Sequence, residues 1–219
     1  VPDELTDQTR TAYDVVARAY AAALPDTSFE SADDLELVKQ FALGLPERPA
    51  GGNGTRVLDA GCGAGRMIPL LLTHAPSLAV DGIDLSAEMI TLARAAHPGI
   101  PFTQGSLPEL PYEAESFEGV LAWYSIIHTP PHQVAGILAE FHRVLRPGGL
   151  LLLAYQAGIG ERHIERPYGH DVELRAFLHD TDLIEADLDE IGFDTVHRVD
   201  RDPRPNERNP QGFIIARSD

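Results

Sequence analysis

Apolar positions recur at helical spacing through residues 6–24, at Ala12, Tyr13, Val16, Ala19, Tyr20 and Ala23, until Pro25 ends the run. The spacing predicts an amphipathic helix. Ser31 opens a second one: Asp34 stands three positions on, as in a capping box, and Leu35, Val38, Phe41, Ala42 and Leu45 make its inner stripe. The glycine- and proline-rich GLPERPAGGNG of residues 44–54 reads as a linker. After it the pattern changes to strand and helix in alternation. Residues 56–60, 78–84, 100–105, 117–127 and 148–156 read as strands. Residues 64–74, 86–97 and 131–145 read as the helices between them, with Ser86 capping the second. The last quarter is less regular: a polar loop over residues 158–170, a helix over 181–191, and two strands, FDTVHRVD and GFIIARS, joined by RDPRPNERNPQ.

Strands that are apolar along their whole length and separated by helices belong to a mostly parallel sheet covered on both faces. An α/β fold with seven strands follows, with residues 51–219 as the main domain and residues 1–50 as an N-terminal helical cap. No apolar stretch is long enough to span a bilayer, and the best, GGLLLLAY, suits a buried strand. The opening VPDELTDQTR has neither the basic start nor the apolar run of a signal peptide. The expectation is a soluble, cytoplasmic protein.

Candidate chemistry begins at TRVLDAGCGAGR, residues 55–66, where a strand leads to Asp59 and glycine then falls at 61, 63 and 65. In an open parallel sheet, ligands sit beyond the carboxyl ends of the strands. Glycine there permits tight turning and lets a ligand reach the backbone. Asp84 closes the next strand, in the place where a carboxylate accepts both ribose hydroxyls of a nucleoside. A dinucleotide fingerprint needs G-x-G-x-x-G to rest a pyrophosphate on a helix N-terminus. Here Arg66 stands at the third glycine position, and the Asp59 charge opposes a phosphate. An acid near this loop suits an adenosine ligand with a cationic end.

VLDAGCGAGR resembles the first motif of the class I S-adenosylmethionine-dependent methyltransferases, and GIDLSAEMITLAR resembles their second-strand motif. GSLPELPYEAESFEGVLAWYSIIH and EFHRVLRPGGLLLLAY are similar to the adenine-holding segment with strand four and to the turn into strand five. The resemblance covers residues 55–155 well. It implies a Rossmann-like sheet whose last strand is antiparallel, S-adenosyl-L-methionine as cofactor, S-adenosyl-L-homocysteine as product, and methyl transfer by in-line displacement. The cofactor-binding positions it implies are Asp59, Gly61, Cys62, Gly63 and Gly65 in the first motif, Asp84 and Leu85 in the second, Ser106 and Leu107, and Tyr124 after strand four. Ser106 departs from the aspartate that many relatives carry there. Tyr13 and Tyr20 are further candidates, because similar enzymes close an aromatic-bearing N-terminal helix over the cofactor; core packing is the competing reading.

The 34 acidic residues against 17 basic ones give a formal charge of −17, which repels nucleic acid and anionic membranes. AWYS also stands where an adenine-N6 enzyme would carry an Asn- or Asp-Pro-Pro-aromatic tetrapeptide. A small-molecule acceptor is expected. His128, after strand four, is the candidate general base, with a loop anchor as the plainer role. Tyr124 and Ser125 stand beside it to orient the acceptor. GERHIERPYGHD brings Arg162, His163, Tyr168 and His170 to the same edge, and the last three are expected to shape a substrate pocket as a lid. Histidine spacing there is too irregular for a metal site, so none is expected. Arg204 and Arg208 either meet a substrate carboxylate or simply face solvent. A nicotinamide-dependent oxidoreductase and a catalytically silent binder of the cofactor stand as alternatives.

Overall fold

The computed structural model describes residues 4–46 and 54–219. Most of the linker expected at residues 44–54, and the expected domain boundary after residue 50, lie outside the described residues. The helices α1 (Glu4–Ala23) and α2 (Ala32–Gly44) come first. The Ser31 hydroxyl accepts from the Asp34 N–H while the Asp34 carboxylate accepts from the Ser31 N–H, so α2 starts with the capping box that its sequence predicts.

The strands β1 (Arg56–Ala60), β2 (Ala79–Asp84), β3 (Phe102–Gln104), β4 (Phe117–Trp123) and β5 (Leu145–Gln156) alternate with helices α3 (Ile68–His74), α4 (Ala87–Ala96) and α5 (Pro131–Val144). After α6 (Thr181–Ile191) come β8 (Phe193–Arg201) and β9 (Gln211–Ser218). The seven strands of the main sheet run in the order β3-β2-β1-β4-β5-β9-β8. All pairings from β3 to β5 are parallel, and β9 is antiparallel to both its neighbours. This is the expected Rossmann-like sheet with an antiparallel last strand.

Every residue of β4 is buried, and alternate side chains serve opposite layers. Val120 and Ala122 pack with Ile137 and Phe141 of α5 and Leu188 of α6, whereas Leu121 and Trp123 pack with Val38 and Phe41 of α2 and Leu71 of α3. Side chains of this size each gain about 1.5–3 kcal/mol on full burial, so a continuous apolar run is what a doubly covered strand needs.

Three differences from the sequence reading bear on the site. The helix expected from residue 64 begins at Ile68, because Gly63 and Gly65 turn the chain at φ 53° and 84°. The fourth strand stops at Trp123, since Tyr124 lies in the left-handed region at φ 58° and ends the pleat. The expected polar loop over residues 158–170 contains β6 (Gly160–Glu165), which pairs antiparallel with β7 (Glu173–Leu178) in a separate two-stranded sheet. Charged residues crowd β6 and conceal its alternation. A tertiary contact fixes the hairpin: the Phe177 N–H donates to the Ile127 carbonyl just beyond β4. Helix α1 packs against both α4 and β7, so helix and hairpin together cover the carboxyl edge of the sheet.

Candidate functional site

A cavity of about 470 Å³ opens under that cover. Its near wall is made by Gly61 and Gly63 after β1, Asp84 and Leu85 after β2, and Ser106 and Leu107 after β3. Tyr13, Tyr20, Tyr124, Ser125, His128 and Tyr168 line the middle and roof. Five residues expected at the site do not line it: Asp59, Cys62, Gly65, His163 and His170.

The three glycines turn out to do different work. A Cβ on Gly61 would fall 2.3 Å from the Ser125 Cβ, so this glycine lets the ends of β1 and β4 meet. One on Gly65 would fall 2.7 Å from the His97 ring. Only at Gly63 is the nearest atom distant, Tyr20 Cε1 at 3.8 Å, and only there does the missing side chain open space toward the cavity. The Cys62 side chain turns the other way, into an apolar cluster with Val80, Ile90 and Phe102, and burial pushes its thiol well up. It takes part through its backbone, whose N–H donates to the Ile83 carbonyl.

Asp84 ties this loop to β2. Its Oδ2 accepts from the Gly63 N–H at 2.8 Å and its Oδ1 from the Ser86 N–H at 2.9 Å. Burial raises its carboxyl, and these N–H bonds partly offset that. Each oxygen keeps a further lone pair for a ligand hydroxyl. Asp59 lies behind the loop, 2% exposed, with Oδ2 lacking a partner. Burial pushes its carboxyl up to about 7; Arg66 opposes the shift and the Asp84 charge adds to it. A buried, orphaned carboxylate oxygen under a loop with one open glycine fits the cationic, adenosine-bearing group that the motif implies.

The roof is pinned by Asp14, a residue that sequence reasoning missed. Its Oδ1 accepts from the Ser86 hydroxyl at 2.6 Å and from the Glu88 N–H at 3.3 Å, which holds α1 on the first turn of α4. Tyr13 and Tyr20, seven residues apart on α1, are thereby set over the cavity. The rings of Tyr168, Tyr20, Tyr13 and His128 then form a chain of edge-on contacts at 5.4, 6.0 and 5.3 Å between centroids. A second missed contact is the ion pair of Arg66 with Glu30, whose Oε1 also accepts from the Trp123 indole N–H at 3.3 Å. No local sequence signal marks Asp14 or Glu30, because both partners lie far along the chain.

His128 has both ring nitrogens engaged. Nδ1 lies 2.5 Å from the Arg175 carbonyl oxygen, which only accepts, so Nδ1 carries the proton. Nε2, 2.8 Å from the Tyr13 hydroxyl, is then the acceptor of that O–H. Burial lowers the imidazole and holds the Tyr13 phenol well above its ordinary value, so a neutral ring faces a protonated phenol. Beside them the Ser125 hydroxyl oxygen is buried without a partner. His163 instead stands exposed 3.5 Å from Glu161, and His170 is exposed within the connection between β6 and β7. Arg204 is committed to Glu207 at 2.7 Å and to the Phe29 carbonyl at 2.9 Å. Among the described residues no three His, Cys, Asp or Glu side chains are grouped to hold a metal ion.

A cavity at the carboxyl edge of a seven-stranded sheet, with its last strand antiparallel, defines a Rossmann-like α/β protein. Residues 57–149 match the family model described as a methyltransferase domain. That segment is thus a methyltransferase domain by this match, in keeping with the resemblance of its first motif to the class I S-adenosylmethionine-dependent enzymes. It is 32% identical over 168 residues to the phthiotriol/phenolphthiotriol dimycocerosates methyltransferase 1 of Mycobacterium ulcerans, covering 74% of this chain and 58% of that one. The chain spans about half, or less, of the length of the curated relatives it matches. Among solved structures, the 1,6-didemethyltoxoflavin-N1-methyltransferase of Burkholderia thailandensis, bound to 1,6-didemethyltoxoflavin and S-adenosylhomocysteine, superposes with a TM-score of 0.72 at 23% identity. That match covers all of this chain and 91% of that one. The [4+2]-cyclase SpnF superposes with a TM-score of 0.71 at 18% identity, over 100% of this chain and 98% of that one. The fold is thus shared by proteins of different chemistry, and the site has to carry the functional argument.

Proposed function

We propose that the chain transfers a methyl group from S-adenosylmethionine to a small-molecule acceptor, with residues 51–219 as the methyltransferase domain and residues 1–50 as its helical cap. The observation that carries this reading is the pairing of Asp84 with the Gly63 N–H above the orphaned Asp59 oxygen. Asp84 and its neighbour Leu85 would hold the ribose, Ser106 and Leu107 the adenine, and the Asp59 charge the cationic end. The rings of Tyr13, Tyr20 and Tyr168 would shield that cation from water. S-adenosylmethionine supplies a methyl group already activated on a sulfonium. What remains for the protein is positioning, exclusion of water and, for a hydroxyl acceptor, removal of a proton.

The proton falls to Tyr13 and His128 together. Tyr13 lines the cavity, and its hydroxyl proton already points at His128 Nε2. An acceptor hydroxyl gives its proton to the Tyr13 oxygen as Tyr13 passes its own to Nε2, and the Arg175 carbonyl on Nδ1–H steadies the imidazolium that results. The unpartnered Ser125 hydroxyl would orient the acceptor. The single buried thiol with no disulfide partner suits a reducing compartment such as the cytoplasm.

Calorimetry with S-adenosylhomocysteine and NADH, followed by mass-shift screening of metabolite pools with labelled methyl donor, tests the reading. Binding of S-adenosylhomocysteine alone and one labelled product are expected. Binding of NADH in its place would return the nicotinamide alternative. Cofactor binding with no labelled product would leave a silent binder.

A further inference from the structure

The far wall of the cavity, past the ends of β5 and β9, is unlike the rest of the protein in its charge. The cavity lining contains four carboxylates, Glu30, Asp34, Asp84 and Glu207, and each is already engaged. Glu30 pairs with Arg66, Asp34 and Glu207 with Arg201, Glu207 also with Arg204, and Asp84 with backbone N–H groups. Arg162 on β6 and Arg208 in the β8–β9 connection also line this wall, and among the described residues neither forms an ion pair. Among the described residues the Arg162 guanidinium meets only neutral acceptors, donating from Nη2 to the Gln156 Oε1 at 2.9 Å. Burial lowers Arg162 below the ordinary arginine range, and the facing charge of Arg208 lowers it further.

A chain with 34 acidic and 17 basic residues has carboxylates in excess, yet sets these two like charges against each other in its cavity without one. An anion relieves their mutual repulsion, and each guanidinium, half-buried at Arg162 and exposed at Arg208, has the planar fork that a carboxylate or phosphate accepts from. The sheet order fixes where that anion would lie. The glycine loop follows β1, Ser125 and His128 follow β4, and Gln156 ends β5 opposite Gln211 of β9. Neighbouring strands are ~4.8 Å apart, so this wall stands one to two strands, ~5–10 Å, beyond the Ser125–His128 position.

We propose that Arg162 and Arg208 form an oxyanion subsite, and that the acceptor is a small molecule carrying a carboxylate or phosphate ~5–10 Å from the atom that receives the methyl group. The assignment rests on the methyl-transfer reading for the word acceptor, while the subsite itself needs no turnover to be seen.

Calorimetric titration of the intact chain with benzoate, phenyl phosphate and the neutral benzamide tests it, alongside S-adenosylhomocysteine. At least one of the two anions should bind tenfold or more tightly than benzamide, and which one does so tells carboxylate from phosphate. The Arg162→Gln/Arg208→Gln double variant should bring that ratio within twofold of one, while affinity for S-adenosylhomocysteine and the melting temperature stay as in the native chain. Benzamide binding as tightly as both anions overturns the proposal, as does a preference that survives in the double variant. A parallel loss of S-adenosylhomocysteine affinity also overturns it, because the arginines would then hold the cofactor's own carboxylate. Failure of S-adenosylhomocysteine to bind the native chain, with anion discrimination intact, would remove the methyl-transfer reading and leave the subsite standing.

Discussion

The two halves of the cavity are built in opposite ways. The half after β1 and β2 is mostly backbone: a glycine turn whose N–H groups are held by the Ile83 carbonyl and the Asp84 carboxylate, with Asp59 behind it, all within residues 59–86. The half after β4, β5 and β9 is mostly side chains brought from distant places, as in the Tyr13–His128 contact between residues 115 positions apart. A backbone cradle changes little when surface residues change, whereas a wall of side chains is remade by a few substitutions. One fold can therefore keep a common ligand half and vary the other, which fits the different chemistries named for its structural neighbours.

The largest effect that separates the halves is expected at His128. His128→Gln should lower turnover of a hydroxyl acceptor about 10²–10⁴-fold while S-adenosylhomocysteine affinity stays near native. Tyr13→Phe, which removes only the hydroxyl, should reproduce most of that loss. Turnover within a few-fold of native in both variants would reduce the pair to a roof anchor.

Next comes Asp84→Ala, measured by calorimetry and thermal melting. Two charge-assisted bonds of about 1.5–3 kcal/mol each predict an affinity loss of at least 10²-fold. Because Asp84 also holds the Gly63 and Ser86 N–H groups, the melting temperature should fall too. Native affinity in this variant would show the carboxylate to be a loop tie alone.

The glycines allow a sharper cut. Gly61→Ala forces a Cβ to 2.3 Å from Ser125 at φ 80° and should destabilise the fold by about 3 kcal/mol. Gly63→Ala meets nothing closer than 3.8 Å, so it should cost about 1–2 kcal/mol for its backbone angle, yet weaken cofactor binding about tenfold. Equal melting points in the two variants would erase the distinction between a packing glycine and a ligand glycine.

The smallest effect concerns pH. A cationic ligand favours ionised Asp59, whose carboxyl sits at about 7, so S-adenosylmethionine affinity should fall by up to about tenfold per pH unit below 7. Asp59→Asn should flatten that slope. For stability the sign runs the other way. Between the ordinary carboxyl value of 3.8 and about 7 the folded chain holds a proton that the unfolded chain has lost. The stabilisation Asp59 contributes is therefore full at low pH and fades as pH rises through 7. Melting curves from pH 4.5 to 7.5 on native and Asp59→Asn chains would show this difference.

Sequence alone determined whatever depends on neighbours along the chain. The period of apolar residues placed the five parallel strands and their helices, Ser31 and Ser86 marked helix starts, and the glycine–Asp84 spacing marked the near wall of the cavity. These features rest on local geometry, the pleat, the helical turn and the cap, each of which needs only a few residues to be specified. Tertiary structure decided the rest. It separated Gly63, which opens to the cavity, from Gly61 and Gly65, which make room for Ser125 and His97. It turned a polar loop into the β6–β7 hairpin through bonds to Ile127 and His128, left His163 and His170 exposed, and closed His128 onto Tyr13. It also brought Arg162 and Arg208 to one wall. Each of these outcomes depends on distances between residues far apart in the chain, and those distances exist only once the sheet order is set.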